Sequence, residues 1–424
     1  MNENVGSYRW RILALLFFAT TINYIDRQVL ALVVTDTGFM TDTGLAGTDG
    51  KLNKELYGYL DAIFKGAYAL GFLFMGNFLD KIGNKKGFSL ALVIWSIAAV
   101  GHAVARNFAG LSFFRFLLGF GEAGNFPGCV KTVSEWFPKS ERSLAVGIFN
   151  AGTNIGAILA PLIVPFLVIN YNWQTAFVIT GLLGFIWLIF WILIYQKPQD
   201  STALSASELA HIQSDGEDVK NTMKWGGLFS KKQTWSFAAG KFLIDPVWFI
   251  YLTWLPTFFK EQHGVDLKSM FLPMLIIYLI SDGGSVAGGW LSSYFIKIGK
   301  STSFARRTTM LIGACFAVPI FMASQVSNIW VAIALISIAA AAHQWFSANL
   351  YAIVTDTFPK QATASVTGIG GTGGAIGGMI IAAASGVIYQ NIGPWPLFAY
   401  GSVAYLTALA VVFGINKNLE KAQV

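Results

Sequence analysis

Twelve segments of this chain are apolar over a length that crosses a bilayer, and no other feature limits its fold as strongly. They lie near residues 10–34, 57–79, 86–105, 108–131, 143–168, 174–195, 235–258, 270–297, 307–325, 329–354, 363–389 and 393–415. A bilayer core of about 30 Å needs roughly 20 helical residues to span it. Lipid supplies no hydrogen-bond partner, so such segments must be helices; a barrel would show strands of about 10 residues with alternating hydropathy. The chain is 54% hydrophobic and only 12% charged, where a soluble protein carries about 25% charged residues. Disorder, fibrous structure and a disulfide-rich secreted domain are excluded, and little is left over for a soluble catalytic domain. Cys129 and Cys315 each lie in an apolar run, where cysteine acts as a small hydrophobe. With no CxxC and no Cys/His cluster, neither a metal nor a cofactor is called for. The expectation is an all-α membrane protein of twelve transmembrane helices.

Arg9 and Arg11 before an apolar run look like the start of a signal peptide, but the apolar pattern continues to Val34 and no small-residue cleavage site follows. The first span is therefore expected to be retained. Of the 29 Lys and Arg, five fall in loops of one parity (Lys51, Lys54, Arg106, Lys260 and Lys268), five fall within spans, and nineteen fall on the other side. That asymmetry puts both termini in the cytoplasm. It also explains the net charge of +7 without any nucleic acid partner. Residues 196–234, a mixed-charge stretch, read as a cytoplasmic linker between a six-helix bundle over 1–195 and another over 235–424. The two halves repeat. Phe137-Pro138-Lys139 aligns with Phe358-Pro359-Lys360 at an offset of 221, and the same offset superposes Gly147/Gly368, Ile148/Ile369, Gly152/Gly373, Ile155/Ile376 and Gly156/Gly377. Two repeated halves of one topology suit a carrier that alternates access around a midplane site.

The stretch Gly76-Asn77-Phe78-Leu79-Asp80-Lys81-Ile82-Gly83-Asn84-Lys85-Lys86-Gly87 resembles the cytoplasmic loop signature of the major facilitator superfamily. There Asp80, flanked by Gly76 and Gly83, would latch one conformation. Within that superfamily, Asn23-Tyr24-Ile25-Asp26-Arg27 and Arg115 with Glu122 resemble the anion:cation symporters, which carry organic anions with protons or sodium. Residues 134–150 and Ala342-His343-Gln344 with Ser347 are similar to bacterial hexuronate transporters. That resemblance implies proton symport of glucuronate or galacturonate across the inner membrane. Two features depart from the pattern: the long acidic loop over 36–55, and Lys65 where a small or polar residue is expected.

Ionisable side chains inside a span cost about 2.5–3.5 kcal/mol each on insertion scales, so each requires a reason. Asp26 and Arg27 point about 100° apart on their helix and cannot share a partner. Arg27 offers a planar fork to a carboxylate, while Asp26 is free to titrate. Arg115 and Glu122 are two helical turns apart and face the same way. Glu122, read here without a fixed positive partner, is the candidate proton carrier, and Arg115 would hold Asp26 ionised. The repeat offset makes Glu122 and His343 equivalent. His343 either bonds a substrate hydroxyl, titrates, or packs neutral beside Gln344. Lys241/Asp245 and Asp61/Lys65 have the spacing of pairs within one helix. Tyr24, Tyr68, Trp248 and Trp345 are candidates to line a sugar-shaped cavity.

The candidate substrate contacts are thus Arg27, Tyr24, Tyr68, Lys65, Asn154, His343, Gln344 and Ser347, and the proton-coupling set is Asp26, Glu122 and Arg115. Gly368 to Gly373 matches a dinucleotide fingerprint but lies within a span without a preceding strand, so close helix packing is the expected role. No nucleophile–histidine–acid constellation stands out, so no enzyme is expected. The expected function is proton-coupled import of a sugar-acid anion by a monomer in the lipid bilayer. The alternative is another organic anion, such as an aldonate or aldarate, with sodium coupling.

Overall fold

The computed structural model describes residues 6–214, 225–358 and 360–422; within helices, the side chains of residues 76, 77, 80, 139, 140, 142–144, 146, 225, 360, 361, 363 and 364 fall outside that description. The latch expected at Gly76 and Asp80 therefore lies outside the described residues. Gly83 is described, with a positive φ of 86° where the chain turns into the next helix, a conformation that glycine adopts without a steric penalty. Apart from one isolated bridge between Ala46 and Leu52, the regular structure among the described residues is helical.

The chain divides into two compact units, Met1–Gly44 with Ala67–Lys220, and Leu45–Gly66 with Asn221–Val424. The first holds α1 (Tyr8–Val33), α2 (Thr37–Asp42), the later part of α3 (Lys54–Ile82), α4 (Asn84–Gly101), α5 (Phe108–Glu122), α6 (Asn125–Trp136), α7 (Lys139–Asn170), α8 (Trp173–Ile194) and α9 (Ala206–Ile212). The second holds the earlier part of α3 together with α10 (Lys232–His263), α11 (Phe271–Lys297), α12 (Thr302–Ala317), α13 (Ile329–Thr357), α14 (Lys360–Asn391) and α15 (Trp395–Ile415). Helix starts are set by short polar side chains that accept the first unpaired amides: Asn107 from Gly110, Asn172 from Thr175, Ser301 from Phe304 and Asn328 from Trp330.

The twelve expected spans correspond to α1, α3, α4, α5 with α6, α7, α8 and α10 to α15. Nine of the described helices are long and apolar enough to cross a membrane on length and composition alone. The remainder, α1, α3 and α5 with α6, hold Asp26, Arg27, Asp61, Lys65, Arg115 and Glu122. Two spans depart from the sequence reading. The segment 108–131 is not one helix: it breaks at Ala123 and Gly124, and α6 resumes at Asn125. Pro127 has no amide to return to the carbonyl of Ala123, and Gly121 and Gly124 weaken the turn before it. Likewise α12 passes into a 3-10 turn over Val318–Ser324, where Pro319 removes an amide. The loop after α1 is also structured. Asp36 caps α2 through the Phe39 amide at 2.9 Å, and Trp173 Nε1 donates to Asp42 at 2.8 Å.

The two units are built on the same crossing. In the first, α1 packs along α7; in the second, α10 packs along α14. A Cβ on Gly152 would stand 2.5 Å from the Phe17 carbonyl oxygen, and one on Gly156 would stand 2.4 Å from that of Thr21. In the other unit, Gly373 faces the Ala238 oxygen at 3.1 Å and Gly377 the Phe242 oxygen at 2.4 Å. Each of these partners is again displaced by 221. The repeat is therefore the same backbone-to-backbone approach made twice, with small residues admitting it.

Part of the stretch between α8 and α10 folds back on the first unit. Ser205 caps α9 through the Glu208 amide. The buried Glu208 carboxylate accepts the Tyr8 and Arg9 amides at 3.1 and 3.0 Å, and it also pairs with the Arg9 guanidinium. Arg9 bonds Glu141 through Nε at 2.8 Å, and His211 Nε2 lies 3.0 Å from the same carboxylate. Glu141 precedes the span of α7. The Arg9 hydrogen bond, with His211 adding to it, holds its carboxyl below the usual glutamate range.

Two outcomes follow. Gly156→Val should cost about 1–3 kcal/mol by overpacking, whereas Gly147→Ala, with open space around its Cβ, should be near neutral; melting in detergent separates them. A carboxyl depressed in the folded state stabilises above its unfolded pKa and loses that effect as pH falls through its folded value. The melting gap between wild type and Glu141→Gln should therefore be widest near neutrality and close as the buffer is taken below about pH 4.

Candidate functional site

In the first unit two of the intramembrane charges, Arg27 and Glu122, meet. Arg27 lies six residues before the end of α1, and its side chain is 11% exposed. Its Nε donates to Glu122 Oε2 at 2.6 Å, and that carboxylate is fully buried at the last residue of α5. The sequence reading left Glu122 without a fixed cation; the structure supplies one, because α5 brings its final turn against this part of α1. Two rings cover the guanidinium, Tyr24 with its centroid at 4.8 Å and Tyr68 at 4.5 Å. Tyr24 is one turn before Arg27 on α1, and Tyr68 is the second residue of the part of α3 that belongs to this unit. A cation desolvated between aromatic faces gains about 2 kcal/mol from them.

Asp26 points elsewhere, as adjacency on a helix requires. Trp95 Nε1, on α4, donates to its Oδ2 at 3.0 Å, and both residues are buried. Arg115 is buried on α5 two turns before Glu122, close enough for its charge to act on Glu122 and on His102. Oδ1 of Asp26, Oε1 of Glu122 and both polar atoms of the Asn23 side chain are buried without a hydrogen-bond partner among the described residues. Such atoms carry a desolvation cost. Asn154 is half-buried on α7 and accepts from Thr153 Oγ1 at 3.4 Å.

The second unit carries a different chemistry at the equivalent place. Trp248 on α10 stacks on His343 of α13, with ring centroids 5.0 Å apart and planes 16° from parallel. His343 Nδ1 lies 3.0 Å from the Tyr405 hydroxyl of α15, and the histidine is 4% exposed. Gln344 beside it is half-buried, and Ser347, one turn later, is buried. Both ion pairs expected within helices form. Lys241 bonds Asp245 at 2.8 Å, with Tyr351 4.6 Å from the ammonium. Lys65 pairs with Asp61, and Thr253 Oγ1 donates to the same carboxylate at 2.8 Å. Lys65 also lies over the Phe249 ring at 4.8 Å; it thus belongs to the second unit and is satisfied within it, while Arg27 belongs to the first.

Sequence reasoning missed Trp95 and Tyr405, the partners of Asp26 and His343. Neither carries a signal, since a buried aromatic in an apolar span looks like packing. One expected cavity residue is placed differently. Trp345 donates to the Thr309 carbonyl at 2.7 Å and fills the space left by Gly288 and Gly313, so it joins α11, α12 and α13 instead. The fingerprint-like glycines also serve packing, with Gly370 against Phe237 and Gly373 against Ala238.

Residues 16–304 match the model of the Major Facilitator Superfamily. The hexuronate transporter of Escherichia coli (strain K12) is 30% identical, over 98% of this chain and 96% of its own. The galacturonate transporter of Dickeya chrysanthemi is 30% identical, over 73% of this chain and 89% of its own. Among solved structures, a bacterial homologue of the human lysosomal transporter Spinster superposes with a TM-score of 0.75 at 19% identity. That match covers 99% of this chain and 100% of that one, a likeness that speaks to the fold. On this fold and these relatives, the chain is a multi-pass membrane transporter, not an enzyme, and belongs to the Major Facilitator Superfamily.

Proposed function

We propose that this protein imports a sugar-acid anion, a hexuronate such as glucuronate or galacturonate, together with a proton across the bacterial cytoplasmic membrane. Its two halves, 1–195 and 235–424 about the linker 196–234, would alternate access, with both termini cytoplasmic. The names of the similar transporters support the substrate class. The observation that carries the coupling is the buried Arg27–Glu122 pair at 2.6 Å under the rings of Tyr24 and Tyr68.

A guanidinium fork holds a carboxylate well, and two carboxylates cannot occupy one fork without strong repulsion. The cargo carboxylate and the Glu122 carboxylate are thus competitors for Arg27. Protonating Glu122 removes its charge and frees the fork, so the anion binds together with a proton and the pair crosses as a neutral addition to the site. Asp26, held by Trp95, is the second titrating group of this reading, with Arg115 supplying the balancing charge. Tyr24 and Tyr68 keep the guanidinium pointed at the fork's partner, whichever carboxylate that is.

The proteoliposome experiment is direct. Labelled glucuronate should accumulate when an inward proton gradient is imposed, and absence of gradient-driven uptake of any organic anion would overturn the reading. Glu122→Gln should retain exchange of substrate for substrate while losing accumulation; equal survival of both would remove Glu122 from the coupling step. Arg27→Lys should weaken substrate binding about 10- to 100-fold, since a charge-assisted hydrogen bond lost from the fork is worth about 1.5–3 kcal/mol. Binding can be followed by ligand-induced thermal shift.

A further inference from the structure

One face of α11 is open over most of its length, and its chemistry changes in steps toward the helix end. Leu279, Gly283, Val286, Trp290, Tyr294 and Lys297 follow one another at intervals of three and four residues, which places them on one side of the helix. All are exposed, Val286 at 74% and Trp290 at 65%. The opposite side is closed against α13, with Gly284 seated on Ala341 and Gly288 on Trp345. Trp290 and Tyr294 stack with ring centroids 5.8 Å apart and planes 18° from parallel. Lys297 closes the apolar span. Tyr294 and Lys297 stand roughly 6 and 10 Å beyond Trp290 along the axis. An apolar stripe, then an aromatic pair, then a cation is the order in which a bilayer passes from acyl chain to glycerol to headgroup.

The turn that follows adds a second ammonium. Gly299, with a φ of 83°, reverses the chain. The amides of Ile298, Gly299 and Lys300 close on the carbonyls of Tyr294, Ile296 and Phe295, each at 3.0 Å. The last helical carbonyls are thus met by backbone, and neither lysine is needed to cap them. Lys300 lies 5.8 Å from the ring of Phe304, itself exposed near the start of α12. Both lysines are exposed, and neither is paired with a carboxylate among the described residues. The two arginines nearby are committed elsewhere: Arg306 to Asp356, and Arg307 to the Lys417 carbonyl at 2.8 Å and the Phe413 ring. No Asp or Glu occurs between Asp282 and Asp356 in the sequence, so neither α12 nor this end of α11 supplies the lysines with a counter-ion.

We propose that this end of α11 is a binding site for an anionic phospholipid: the phosphate sits between Lys297 and Lys300, the glycerol region lies against Trp290 and Tyr294, and an acyl chain runs along Val286 and Leu279. Lysines at the edge of a span attract anionic lipid, and the aromatic pair fixes the depth at which a headgroup meets them. Charge complementarity selects the class. A zwitterionic lipid brings its own cation up to two unpaired ammonium groups, whereas a lipid of net negative charge neutralises them. Inorganic phosphate has the charge but nothing to cover the exposed rings and Val286. None of these residues belongs to the set proposed to hold the cargo, and the site stands whichever anion is carried.

The test is thermal melting of the full-length protein in neutral detergent with lipid added back. Dioleoyl phosphatidylglycerol should raise the melting temperature by about 2–4 °C, while dioleoyl phosphatidylcholine and inorganic phosphate should leave it within about 1 °C. The double variant Lys297→Gln with Lys300→Gln should melt like wild type without lipid and lose more than half of the phosphatidylglycerol gain. Lys297→Arg with Lys300→Arg should keep that gain, and Trp290→Leu should reduce it. Lys268→Gln, which removes an exposed lysine beyond the other end of α11, should leave it intact. Equal gains from the two lipids overturn the proposal, and so does a phosphate gain as large as that from lipid. A full gain in the double glutamine variant also overturns it, as does the same loss in Lys268→Gln, which marks a diffuse attraction to the whole surface. If the double variant does not fold, Lys297→Gln and Lys300→Gln decide singly, each expected to lose part of the gain.

Discussion

A charge removed from water must be met by another charge, by dipoles or by a moving ligand, and most of this structure can be read from how that requirement is satisfied. The strictest case is Arg27. Its guanidinium is buried on α1, against a fully buried glutamate and between two tyrosine rings. A buried ion pair contributes little net stability, because desolvation offsets its attraction, yet losing one partner is costly. Lys241 and Lys65 each meet a carboxylate four residues away on the same helix, Asp245 and Asp61, with Thr253 of α10 adding a hydrogen bond to Asp61.

The two units show what duplication keeps and what it releases. Backbone approach is kept, since Gly152, Gly156, Gly373 and Gly377 all face main-chain carbonyl oxygens across a crossing, and at Gly152, Gly156 and Gly377 a Cβ would stand within 2.5 Å of one. The contact at the heart of each unit is kept in place but altered in kind. One is ionic; the other is aromatic and stiffened by a hydroxyl. Steric constraint acts on the scaffold, and chemistry is free to diverge on it.

Much of this was legible in the sequence because the bilayer imposes a length and a hydropathy that every span must meet. The charges in the spans were visible for the same reason, as exceptions. Pairing between helices was not. Nothing local connects Arg27 to Glu122, ninety-five positions away, and the reading that left Glu122 without a cation failed on packing, which is a property of the fold. Trp95 and Tyr405 were silent because an aromatic in an apolar run has no distinguishing neighbour. Other features were written down but outweighed. Gly121, Gly124 and Pro127 mark the break inside 108–131, yet the hydropathy runs straight through it. The Ser205-to-Glu208 spacing of a capping box announces α9 within what otherwise reads as a linker. The carboxylate of that motif is then diverted to Tyr8 and Arg9.

The interruption after Glu122 has a mechanical consequence. A continuous helix resists bending because each turn is tied to the next, but here the chain has already given up a tie between α5 and α6, with Pro127 unable to restore it. Little further hydrogen bonding is lost if the two segments tilt against one another. A glutamate seated on the last residue before such a joint is well placed to convert a local change of partner into a swing of the segment that follows, with the rest of α5 standing still.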